Sequence, residues 1–138
     1  MADTRNPEFT AVTQDVRVTV RAYYLADQSE PERGRYVWAY RVRIANEGRQ
    51  AVQLLKRTWL ITDAQGRTQR VHGEGVVGET PALEPGEHFE YTSATPLATA
   101  SGFMRGQYHM VVSATGENFD VEIPGFSLDS PQASRRLH

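Results

Sequence analysis

The segment VHGEGVVGETPALEPGEHFEY, running from Val71 to Tyr91, decides the fold. It carries three glycines at G-x-G-x-x-G spacing, Gly73, Gly75 and Gly78, followed by a Pro85-Gly86 turn. In a dinucleotide-binding fold this spacing leaves a strand and opens a helix, whose N-terminus meets the pyrophosphate. Here Val76 and Val77 sit inside the motif, and Thr80-Pro81 and Pro85-Gly86 cut off any helix. The glycines are therefore expected in a loop between strands, supplying backbone angles that other residues avoid.

The flanks agree. Val16, Val18, Val20, Ala22 and Tyr24 alternate with polar residues, as do Tyr36, Trp38, Tyr40, Val42 and Ile44 after a polar loop from Asp27 to Arg35. Asn46-Glu47-Gly48 has the turn chemistry of a hairpin. In AVQLLKRTWLITD the apolar phase changes from Val52 and Leu54 to Leu55, Trp59 and Ile61, which calls for a bulge near Leu55-Lys56. Asp63 to Gly66 forms a tight turn, and Pro85-Gly86 suits the centre of a type II turn. A short strand from Thr68 to His72 enters the glycine loop, and HFEYTS (from His88), FMRGQYHMVVSA (from Phe103) and the Phe119–Ile123 segment complete the strands. No window of about 11 residues shows an apolar stripe at helical spacing. The pattern predicts an all-β fold, an antiparallel β-sandwich of about seven strands with almost no helix; a small barrel is the alternative.

Composition bounds the function. At 138 residues one domain is expected, with a core spanning about residues 9–128 and fraying ends over Met1–Glu8 and Asp129–His138. Absence of cysteine removes disulfides, thiolate metal sites and cysteine catalysis. Fifteen basic and 17 acidic residues give a net charge of -2, too balanced for a general nucleic-acid or anionic-membrane binder. No apolar run reaches the ~20 residues of a membrane span, and MADTRNPEFT has no signal-like apolar region. A soluble cytoplasmic protein is the default expectation.

Four blocks, VQLLKRTWLITDAQGR, VHGEGVVGETPALEPGEHFEYTS, GFMRGQYHM and IPGFSL, occur in an order and spacing that resembles the ApaG (CorD) family of small bacterial proteins. The likeness spans about residues 9–128. It implies a sandwich of the fibronectin type III or immunoglobulin-like kind. It also implies an association with cobalt resistance and magnesium efflux, and a kinship with interaction modules in eukaryotic substrate adaptors. The resemblance carries over no catalytic mechanism. The family's glycine loop falls on Gly73, Gly75 and Gly78, where a pyrophosphate role is a suggestion from spacing.

Two readings of the loop follow. In the first, Gly73, Glu74, Gly75, Val76, Val77, Gly78 and Glu79 form the functional surface of a non-enzymatic binding module that acts through an unidentified protein partner. In the second, the same loop binds pyrophosphate, a nucleotide or a divalent cation through backbone N–H groups or acidic side chains. Against the anion stand Glu74 and Glu79 and the lack of a lysine in the loop. His72, Glu74, Glu79, Glu84, Glu87 and His88 are the nearby metal-ligand types, but spacing alone does not converge them, so neither a metal site nor a cofactor is expected. No G-x-S-x-G elbow is present and the Glu30/Glu32 pair lies in a polar loop, so no enzyme is expected. The aromatics Trp38, Tyr40, Trp59, Phe89, Tyr91, Phe103 and Tyr108 read as core, and Tyr23, Tyr24 and Tyr36 as possible interface anchors. Arg17, Arg21, Arg41, Arg43 and Arg57 read as outward residues of adjacent strands, a basic stripe if those strands pair, though such residues are more often a solvated face with cross-strand partners.

Overall fold

A computed structural model describes residues 6–135. Nine strands follow in order: β1 (Glu8–Thr13), β2 (Val16–Tyr24), β3 (Tyr36–Asn46), β4 (Val52–Asp63), β5 (Thr68–Glu74), β6 (Ala82–Leu83), β7 (His88–Leu97), β8 (Ser101–Val112) and β9 (Asn118–Asp129). Two of them, β1 and the two-residue β6, exceed the expected count of about seven. Two 3₁₀ turns, Ala26–Gln28 and Pro31–Arg33, occupy the Asp27–Arg35 loop, and one short helix, α1 (Pro131–Arg135), follows β9.

All pairings are antiparallel. One sheet has the order β1-β2-β3-β7 and the other β5-β4-β8-β9, with β6 also on β4. The period-two pattern explains the two layers, because one face of each strand is apolar and the faces meet. Val16, Val18, Val20, Trp38, Tyr40, Val42 and Ile44 of the first sheet are buried against Leu54, Trp59, Met104, Tyr108, Met110, Val121, Phe126 and Leu128 of the second. Tyr40, Trp59 and Phe126 stack edge-on or tilted at 5.3 to 6.2 Å between ring centres. The Tyr91 and Tyr108 hydroxyls hydrogen-bond across the core, and Trp38 Nε1 donates to the Asp129 carbonyl at 2.9 Å. Burial raises the pKa of both Tyr91 and Tyr108 well above the phenol value, so the pair stays neutral.

The sandwich is tied shut on one side, where β1 and β2 lie against β9 and the Glu122 amide donates to Thr13 Oγ1 at 3.1 Å. On the other side the edge strands β5 and β7 stand apart. That open side positions the site.

Several expectations are corrected. Asn46 does not make a hairpin: β3 and β4 lie in different sheets, and Asn46 is the buried pivot of the crossover between them. Phe103 is 42% exposed and covers Gly125 rather than entering the core. The assigned tail from Asp129 to Arg135 is ordered into β9 and α1, with Ser130 buried, while Met1–Arg5 and 136–138 lie outside the described residues. Tyr23, Tyr24 and Tyr36 are half-buried rather than presented, and Tyr24 packs edge-on to Trp38 at 5.5 Å. Of the two readings of the outward arginines, the solvated face with cross-strand partners holds for four of them: Arg17 meets Glu47 at 2.9 Å, Arg21 meets Glu8 at 3.4 Å, and Arg41 and Arg43 meet Glu90 at 2.9 and 3.5 Å. Arg57 is not part of it at all.

Candidate functional site

The glycine loop begins at a defect in β4. The β4–β8 register slips between Leu54 and Lys56, which is the expected bulge. On the other side of β4, facing β5 and β6, the loop continues the pairing. The Gly75 amide donates to the Leu55 carbonyl at 2.8 Å, the Leu54 amide to Pro81 O at 3.0 Å, and Gln53 Nε2 to Thr80 O at 3.1 Å.

Each glycine in the loop has its own reason. At Gly73 an added Cβ would lie 3.0 Å from Arg57 Nη1 and 3.3 Å from Cζ, so the guanidinium rests on the missing side chain. At Gly75 φ is +62° and a Cβ would fall 2.4 Å from the Glu79 carbonyl. Gly78, at φ +82°, is the second central residue of a two-residue turn closed by reciprocal bonds between Val76 and Glu79 at 2.8 and 2.9 Å. With Val77 at φ +44° as the first central residue, this is a type I′ turn.

Val77 breaks the rule for that turn. Type I′ turns want Asn, Asp or Gly at this place, because a β-branched residue in the left-handed region is strained by about 1–2 kcal/mol. Its neighbour Val76 is 1% exposed and anchors the loop in the core, whereas Val77 is 54% exposed. The sequence thus holds a large apolar side chain outward on a strained, anchored tip. Glu74, Gly78 and Glu79 are also exposed, while Gly75 is buried. The seven expected residues are contiguous in space, but only part of the set forms a surface.

Beneath the tip the sheet edges part around a cleft of about 360 Å³, lined among others by Tyr40, Ile61, Val71, Val76, Ser93 and Pro96. Arg57 enters it because the bulge puts residue 57 on the inward parity of Trp59 and Ile61. Its Nη1 donates to the carbonyls of Glu74 at 3.0 Å and Gly75 at 2.8 Å. The positive charge missing from the loop's own sequence is supplied from β4, one strand away. Reading the bulge through to residue 57 would have revealed it.

Backbone N–H groups in the loop are largely engaged. Those of Gly75, Val76 and Glu79 have protein acceptors, which leaves Val77 and Gly78 for an anion. Among the described residues no group of three or more His, Asp or Glu is placed to hold a metal ion. His72 and His88 sit in opposite sheets.

A second polar array lies on the outer face of the second sheet. Thr58 Oγ1 is 2.8 Å from His72 Nδ1 and 2.7 Å from His109 Nε2, and His109 Nδ1 is 2.7 Å from Asp120 Oδ1. Hydroxyl, imidazole and carboxylate stand in nucleophile–base–orienter order. The hydroxyl is shared with a second imidazole, and both His72 and Asp120 face solvent, so water screens the array instead of an enclosed site strengthening it. Partial burial, followed by repulsion from Arg70, His109, Lys56 and Arg57, holds the His72 pKa below 6.5. The folded chain therefore resists protonating His72. The resulting penalty is absent above pH 6.5, grows as pH falls from there to the lower folded value, and then levels off. We expect wild type to lose more stability than His72→Gln between about pH 7.5 and about pH 5.5, read from urea midpoints. Equal losses would contradict this.

The fold and loop define a class: two-layered antiparallel sandwiches carrying a glycine-rich connection on a sheet edge. The ApaG domain family model matches residues 26–112. Protein ApaG of Rhodospirillum centenum is 62% identical over 128 residues, covering 93% of this chain and 98% of that one. Protein ApaG of Bradyrhizobium diazoefficiens is 55% identical over 130 residues, with 94% and 99% covered. A Bordetella pertussis crystal structure named ApaA superposes with a TM-score of 0.82 at 47% identity, covering 88% of this chain and 99% of that one. The chain belongs to the ApaG family.

Proposed function

We propose that this chain is a non-enzymatic binding module that works through protein contacts, with the tip of the glycine loop as its contact surface. One observation carries the reading: Val77, exposed and β-branched, is held at φ +44° where a glycine or asparagine would relax the turn. Strain of this kind persists where surroundings over-determine it, and it concentrates at binding sites. The Val76 anchor, the Gly75–Leu55 bond and Arg57 hold the tip in place before any partner arrives, which lowers the ordering cost of association.

The family resemblance supports an accessory role in divalent-cation homeostasis. No helix of the described residues is long and apolar enough to cross a membrane, so such a role would run through contact with another protein. The competing reading, a phosphate or cation ligand at the same loop, finds the Gly75, Val76 and Glu79 amides already bonded and no cluster of three metal-ligating side chains among the described residues. Titration with pyrophosphate, a nucleotide, Mg²⁺ and Co²⁺, followed by amide chemical shifts, separates the two. The contact-surface reading predicts flat titrations at residues 73–79; saturable shifts there favour the ligand. Capture from lysate with wild type and Val77→Asp tests the surface directly: the charged variant is expected to lose proteins that wild type retains, and identical recovery would refute the tip as the contact.

A further inference from the structure

We infer that the cleft beneath the glycine loop, between the edge strands β5 and β7, is a carboxylate-binding site that takes the C-terminus of a peptide ending in an aliphatic residue. This deepens the contact-surface reading by naming the chemistry of the partner; Val77 borders the same cleft, and different readouts tell the two apart.

Arg57 carries the argument. Among the described residues Arg35, Arg49, Arg57, Arg70 and Arg105 have no carboxylate within ion-pair distance, and of these Arg57 alone is half-buried, lining the cleft between the sheets. A guanidinium has five N–H donors, and the two loop carbonyls take those of Nη1. The Nε and Nη2 donors are left as a fixed fork, the geometry that matches the two oxygens of a carboxylate. A half-buried cation without a counter-ion is costly, and an incoming anion removes that cost.

The rest of the cleft selects what accompanies the anion. Ile61, Val71, Val76 and Pro96 provide an apolar wall, and Tyr40 and Ser93 stand at its polar side. About 360 Å³ lies at the small end of ligand sites and accommodates a terminal residue with one aliphatic side chain. The flanking edges choose the source. Both β5 and β7 have a neighbouring strand on one side only, so their free backbone groups can pair with an extended chain entering between them. A terminal carboxylate at Arg57 and main-chain pairing along an edge are two parts of one recognition mode.

The test uses acetyl-Gly-Gly-Val-Leu as the free acid and as its C-terminal amide, with N-acetyl-leucine as the third probe, titrated into the intact protein and followed by chemical shifts. The free acid should shift the Arg57 side chain and the Val76 and Ser93 amides and bind at least tenfold more tightly than the amide. It should also bind more tightly than N-acetyl-leucine. Arg57→Gln should abolish the preference for acid over amide, and Arg57→Lys should retain only part of it. The wild-type acid–amide comparison needs no variant, so it stands even if Arg57→Gln loosens the loop. Equal binding of acid and amide, or no shift at these residues, overturns the inference. N-acetyl-leucine binding as tightly as the peptide overturns the peptide source. Lysate capture reports separately: if wild type binds the acid no better than the amide yet Val77→Asp still loses lysate proteins, the carboxylate site falls and the Val77 surface stands.

Discussion

Gly106→Ala is expected to destabilise the domain by about 3 kcal/mol, at the upper end for overpacking. Gly106 lies in the middle of β8, opposite Trp59 of β4 and Ile123 of β9 and beside the register shift after Met104. A Cβ there would fall 2.2 Å from the Thr58 carbonyl oxygen and 3.2 Å from both Thr58 C and Trp59 Cα. These are backbone atoms of the central ladder of the second sheet, so no side-chain rotation relieves the clash. Either β4 moves away, disturbing Trp59 and its packing on Tyr40 and Phe126, or the β4–β8 pairing breaks. Since small domains have only about 5–15 kcal/mol in hand, the loss should be obvious in the urea midpoint. Gly66→Ala is the control. Gly66 has φ +85° with nothing within 4 Å of a Cβ, so its cost should be the backbone strain alone, about 1 kcal/mol. Gly106→Ala no worse than Gly66→Ala would mean that the two central strands are farther apart than described.

The second large effect is at Asn46, 2% exposed where β3 leaves the first sheet. Its Nδ2 donates to the Gln50 carbonyl at 2.8 Å and the Leu83 carbonyl at 3.0 Å, and its Oδ1 accepts from the Gly48 amide at 3.0 Å. Its backbone amide and carbonyl bond Glu87 O and the Gly86 amide. The side chain thus joins the crossover to β6, and the backbone of the same residue joins it to the Pro85-Gly86 turn. Asn46→Ala should cost about 3 kcal/mol, because several buried polar groups lose their partners together. Asn46→Asp should not rescue it. A carboxylate keeps the acceptor for Gly48 but cannot donate to the two carbonyls and faces them with a negative charge. Asn46→Asp near wild-type stability at neutral pH would contradict this network.

Most of the architecture was legible because it is written in parity. Alternation over Val16–Tyr24 and Tyr36–Ile44 placed the first sheet's inward face, the phase change in β4 located the bulge, and Pro85-Gly86 formed its turn with Gly86 at φ +88°. What parity could not show was which strands share a sheet. Asn46-Glu47-Gly48 has the same chemistry in a hairpin as in a crossover, and only the pairing of β3 with β7 decides. Arg57 was misplaced for a related reason: a charged residue suggests solvent, and the one-residue slip at Leu55 outweighs that preference. The Thr58–His109–Asp120 array required three strands to be laid side by side, since its members are far apart in the chain. Val77 lies in the expected loop, but its strain is hidden from the sequence because turn rules assign positive φ to Gly, Asn or Asp and are silent when strain is retained.

The most direct test of a retained, functional strain is Val77→Gly, measured for stability and for partner capture in parallel. Removing the left-handed valine should raise stability by about 1 kcal/mol while weakening the recovery of lysate proteins that wild type holds. A variant that is more stable and captures the same proteins as wild type would show that the tip makes no functional contact, and the account of this loop would fail.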